Sequence, residues 1–72
     1  MKTKNKIKIK VNGKKFLIKK NYTVSNLITK LDISLNRVAI ELNKKIIDKK
    51  KLKNINLRDK DNLEIVHFIG GG

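Results

Sequence analysis

The sequence predicts an α+β fold, a mixed sheet of four to five strands with one short helix packed across it. Three observations carry that prediction. Residues 6–11 alternate lysine with Ile or Val and run into Asn12-Gly13. Residues 24–31 place apolar side chains at helical spacing. Two later runs, 38–43 and 63–68, return to strand-like patterns.

Strict alternation is the mark of a strand with one buried face, so Ile7, Ile9 and Val11 are expected to point inward. Asn-Gly tolerates positive φ at both positions and so favours the tight turn of a hairpin. Residues 14–19 then supply the returning strand, with Phe16 and Ile18 inward. Thr23 is placed as an N-cap. Val24, Leu27, Ile28 and Leu31 follow on one helical stripe, and 32–36 breaks the pattern. In the next strand Val38, Ile40 and Leu42 share a face, Asn43-Lys44 turns the chain, and Ile46-Ile47 returns briefly. Residues 48–54 read as a lysine-rich connection anchored by Leu52. A polar turn at 59–62 leads into the last strand, 63–68. First and last strands are expected to pair in parallel at the sheet's centre, because the helix and middle segments supply the long crossover that parallel pairing needs.

Composition narrows the functional classes. The chain has 72 residues, nineteen Lys and Arg against six Asp and Glu, a net charge of +13 and no cysteine. Without cysteine there is no disulfide framework and no thiolate metal cage. His67 alone builds neither a metal site nor a nucleophilic Ser or Cys–His pair, and is expected as a half-buried strand residue. Asp59 and Asp61 are expected to stabilise their turn, not to act as an acid–base pair. No metal site and no catalytic residue is therefore expected, and the chain by itself is not expected to be an enzyme. No stretch has the length and apolarity of a membrane span, and no apolar run follows the basic first residues as in a signal peptide; a soluble, cytoplasmic protein with no membrane partner is expected.

Nucleic-acid binding is disfavoured despite the charge. The excess is lysine, with arginine only at Arg37 and Arg58, and the aromatics are only Phe16, Tyr22 and Phe68. Bidentate phosphate or guanine reading uses arginine, and base stacking uses aromatics. A solvated lysine surface, or attraction to an acidic partner protein, fits better.

The end of the chain is the informative feature. Gly70, Gly71 and Gly72 follow directly on the last apolar strand. Glycine has the highest entropic cost of ordering, and nothing structural calls for three of them there. A frayed end or an expression remnant is the plain alternative. The functional reading is a tail without side chains that threads a narrow channel and delivers its α-carboxylate to another protein's active site. The expected division is a domain over 1–69 and a flexible tail over 70–72.

These features together resemble the β-grasp, ubiquitin-like sulfur carriers, and within them the ThiS family of thiamine biosynthesis. The resemblance rests on the Asn12-Gly13 hairpin, on Thr23-Val24 with Leu27, Ile28 and Leu31, and on 38–43 followed by Ile46-Ile47. It continues through 57–61, 63–66 and the closing Phe68-Ile69-Gly70-Gly71-Gly72. The chain departs from the family's usual pattern at Asp48 (often proline), Leu52 (often tryptophan) and Lys60 (usually glycine). The resemblance implies a mechanism. An E1-like, ThiF-type enzyme adenylates the carboxylate of Gly72 using ATP and magnesium. Sulfur drawn from cysteine through a desulfurase persulfide then displaces AMP. The resulting thiocarboxylate serves a ThiG-type thiazole synthase. The carrier needs no cofactor of its own, and a chain without cysteine has no side chain to hold a persulfide.

Docking is expected to use Val66, Phe68 and Ile69, since Leu63 and Ile65 take the inward register and leave Val66 and Phe68 outside. Three alternatives stay open. A molybdopterin synthase small-subunit-type carrier uses the same tail, a protein-conjugating modifier ends it in an isopeptide bond, and a basic nucleic-acid-binding β-grasp module uses the lysines instead.

Overall fold

The computed structural model describes residues 5–68; the expectations for Ile69, Gly70, Gly71 and Gly72 lie outside the described residues. The strands are β1 (Lys6–Val11), β2 (Lys14–Lys19), β3 (Val38–Leu42), β4 (Lys45–Ile46) and β5 (Asn62–His67), with one helix, α1 (Val24–Lys30). They form one sheet in the order β2-β1-β5-β3-β4. β1 and β5 are parallel neighbours at its centre, as expected, and the other pairs are antiparallel.

The hairpin of β1 and β2 closes on Asn12 at φ 51° and Gly13 at φ 84°, the left-handed pair an Asn-Gly turn supplies. Ile9, Val11 and Ile18 are buried, with Ile7 and Phe16 packed beside them. Helix α1 is seven residues long, too short to hold without its caps and its packed face. Thr23 Oγ1 accepts from the Asn26 N–H at 3.0 Å, and Asn26 Oδ1 accepts from the Thr23 N–H at 2.9 Å. This is a capping box with asparagine in the place glutamate usually takes. At the other end Asp32 takes φ 57°. The Asp32 N–H donates to Thr29 O and the Ile33 N–H to Ile28 O, the paired bonds of a Schellman motif built on aspartate where glycine is usual. The helix buries Val24, Leu27 and Ile28 against Ile9, Ile18, Val38, Ile40, Leu63 and Ile65 of the sheet's inner face. Among the described residues the core is wholly aliphatic, with no buried polar side chain. Each such side chain contributes about 1.5–3 kcal/mol on burial.

Two segments differ from the sequence reading. The connection after β4 is a 3-10 helix, Lys49–Asn54. Asp48, at a position where proline is common, caps it by accepting from the Lys50 N–H at 2.9 Å, and Leu52 is buried beneath it. A second 3-10 turn, Leu35–Arg37, precedes β3. The sequence shows neither, because a 3-10 turn is short, needs at most one anchor and has no apolar period. The edge strand pairs through Lys45 and Ile46, while Ile47 turns partly into the core. His67 is exposed, not half-buried. It lies past the last residue of β1 that pairs with β5, which is Val11 opposite Leu63.

Among the described residues no helix is long and apolar enough to cross a membrane.

Candidate functional site

The terminus that the sequence leads one to expect as reactive, Gly72, lies outside the described residues, so the part of the candidate site that can be described is the root that precedes residue 69. That root is the C-terminal half of β5, and neighbouring elements fix it in turn.

The ladder between β1 and β5 registers only Lys10 opposite Asn62 and Val11 opposite Leu63. Further side-chain and main-chain bonds lengthen it at both ends. Below the ladder, Asp59 Oδ1 accepts from the Lys8 N–H at 2.8 Å, and the Lys60 N–H donates to Lys8 O at 2.6 Å. Above it, where β1 has already turned away, the Asn12 carboxamide takes the place of a strand. Its Oδ1 accepts from the Ile65 N–H at 2.7 Å and its Nδ2 donates to Ile65 O at 3.1 Å. On the other side β3 pairs with β5 through Val38 opposite His67, and the Phe68 N–H donates to Arg37 O at 2.9 Å. A main-chain bond therefore holds Phe68, and the tail starts from a fixed point.

The turn before β5 is equally tied. Asp61 Oδ2 accepts from the Arg58 N–H at 2.8 Å and its Oδ1 from Asn43 Nδ2 at 3.0 Å. Asp61 thus stabilises the turn, as expected, while Asp59 ties the turn to β1. Lys60 holds φ 74°, the left-handed conformation that accounts for glycine being usual at this position.

Val66 and Phe68 are exposed, at 50% and 54%, and Phe68 is not among the residues packed on the core. Lys49 Nζ sits 5.5 Å from the centre of the Phe68 ring, within cation–π range, and also donates to Leu35 O. Lys49 and Phe68 thus meet beside the root of the tail. Sequence reasoning misses Asn12, Arg37 and Lys49 as residues that fix this root. In the sequence Asn12 shows only its tolerance of positive φ, and Lys49 is one of a solvated lysine run. Only the approach of β5 shows what they hold. Among the described residues no three His, Asp or Glu gather into a metal cluster.

A helix clasped by a mixed five-stranded sheet, with its first and last strands parallel at the centre, defines a β-grasp domain. The ThiS family model matches residues 4–72, and the chain belongs to the ThiS family. A "Sulfur carrier protein ThiS" from Bacillus subtilis is 38% identical over 65 residues, which cover 89% of this chain and 98% of that protein. A "Thiazole synthase" from Paramagnetospirillum magneticum is 36% identical over 66 residues, covering 92% of this chain and 20% of that protein. The crystal structure of a thiamine biosynthesis protein (ThiS) from Geobacter metallireducens superposes with a TM-score of 0.80 at 26% identity, over 92% of this chain and all of that one.

Proposed function

We propose that this protein is a cytoplasmic sulfur carrier of thiamine biosynthesis, not itself an enzyme, and that it works through the carboxylate of Gly72. One observation carries the reading: the family match runs to residue 72 and so takes in the terminal glycines, which supports a role for them. The similarity to thiazole synthases, confined to a fifth of their length, supports a ThiG-type synthase as the enzyme the carrier serves and favours the thiamine pathway over the molybdopterin one.

The mechanism rests on elementary chemistry. A carboxylate is a poor electrophile because its leaving group would be oxide. A ThiF-type enzyme, with ATP and magnesium, converts it to an acyl adenylate and releases pyrophosphate. A persulfide that originates in a desulfurase attacks the acyl adenylate and displaces AMP; a thiol then cleaves the resulting acyl disulfide, the sulfur donor leaves as a disulfide with that thiol, and the chain ends as a thiocarboxylate. The fold's part is presentation. Four residues follow Phe68 and reach at most about 14 Å when fully extended, so an enzyme must seat its active centre close to the end of β5. Glycine at 70–72 lets a narrow channel close around the main chain.

Intact-mass analysis after incubation with adenylating enzyme, ATP, magnesium and a sulfur source tests this. The expected result is a gain equal to exchange of one oxygen for sulfur, localised to Gly72. No gain with competent thiamine-pathway enzymes overturns the reading. Deleting Gly71 and Gly72 should abolish the gain while leaving the melting temperature unchanged. Phe68→Ala should weaken binding of the enzyme with little loss of stability. A large fall in melting temperature at unchanged affinity would remove Phe68 from the docking surface.

A further inference from the structure

The outer face of the sheet, turned away from α1, carries a charge layout that the fold does not need. In the hairpin Lys6 stands opposite Lys19 and Lys10 opposite Lys15, with Lys8 opposite Leu17 between them. Across the sheet Glu41 stands opposite Glu64 and Ala39 opposite Val66, and Ile46 lies beside Glu41. Like charges directly opposite each other destabilise a sheet, and all three of these pairs lie on one face. Exchanging members between the pairs would make them attractive, so stability alone does not produce this arrangement. The acids are also divided by role. Asp48, Asp59 and Asp61 accept main-chain hydrogen bonds, whereas Asp32, at the left-handed end of α1, and Glu41 and Glu64, the chain's only glutamates, accept none among the described residues. Ile46 is 75% exposed beside them.

We infer that this face is an oriented docking surface for a protein, in which the partner sets an acidic strip over β1–β2 and a basic side chain between Glu41 and Glu64, with apolar contact on Val66 and Ile46. The inference deepens the carrier reading and rests on it: the partner is the enzyme that acts on the tail. The short reach beyond Phe68 brings that enzyme against the end of β5, and two patches of opposite sign on either side of β5 fix its rotation about that point. A nucleic acid would match only the lysine half and would be repelled by the glutamates.

The test uses whichever adenylating enzyme thiocarboxylates the wild-type chain, with pyrophosphate release followed at several salt concentrations. E41Q/E64Q should raise the melting temperature, because a repulsion is relieved, and raise KM about fivefold at unchanged kcat. K10Q/K15Q should do the same at low salt, with the difference shrinking as ionic strength rises. K51Q, on the 3-10 helix, should leave KM unchanged. KM values within about twofold of wild type for both pairs overturn the inference while the carrier reading stands. A KM that rises together with a falling melting temperature also overturns it, since that is a structural effect. A wild-type chain that gains no sulfur overturns the carrier reading, and the docking inference with it.

Discussion

The two tight turns that flank β5 are built alike and differ in one residue. Asn12-Gly13 joins β1 to β2, and Asn43-Lys44 joins β3 to β4; all four residues have positive φ, at 51°, 84°, 52° and 73°. In each, the leading asparagine reaches across to β5. Asn12 meets both main-chain groups of Ile65, while Asn43 Oδ1 accepts from the Asn62 N–H at 2.9 Å and its Nδ2 meets Asp61. Asparagine at these positions therefore does two things: it tolerates the left-handed conformation, and it substitutes for a missing strand neighbour. The second position does only the first. Gly13 meets nothing within 4 Å of where a Cβ would lie, and Lys44 holds the same conformation with a side chain present. The comparison separates a requirement for a carboxamide from a requirement for a backbone angle.

Asn12→Ala should break it most severely. It strips two hydrogen bonds from a partly buried site and should cost about 2–3 kcal/mol in urea unfolding, with faster amide exchange at Ile65. If exchange there is unchanged, Asn12 does not act as a strand substitute. Asn43→Ala removes exposed bonds, which water replaces, and should cost about 1–2 kcal/mol by the same measurement. Equal losses at the two sites would erase the distinction drawn from burial. Gly13→Ala tests the angle alone, since the Cβ has room; about 1 kcal/mol of destabilisation is expected. Lys44→Gly should act in the opposite sense and raise stability by just under about 1 kcal/mol, visible as a small rise in melting temperature. A loss at Lys44→Gly would mean that the lysine side chain holds the turn by contacts of its own.

Much of the architecture is legible in the sequence because it rests on local rules. Alternation at 6–11, the Asn-Gly turn, the Thr23 cap and the apolar stripe of α1 each act over a few residues, and the structure has them within a residue or two. The parallel pairing of β1 with β5 comes out of the crossover argument. The features that escape do so for separate reasons. The 3-10 helix at Lys49–Asn54 has one buried side chain, Leu52, and so no period to read. The Schellman end of α1 uses Asp32, not the glycine that signals such an end. The expectation for His67 fails because its burial depends on where β1 stops, which is a fact about another strand.

By itself the sequence determined the strands, the α-helix and most inward faces, because side-chain period and turn chemistry are properties of neighbours along the chain. Only the tertiary structure decided that Asn12 and Arg37 hold the root of the tail, that Lys49 meets Phe68, and that Glu41 faces Glu64 across the outer sheet. Each of these joins segments far apart in the chain, and their meeting depends on strand order and register, which fix which distant residues become partners.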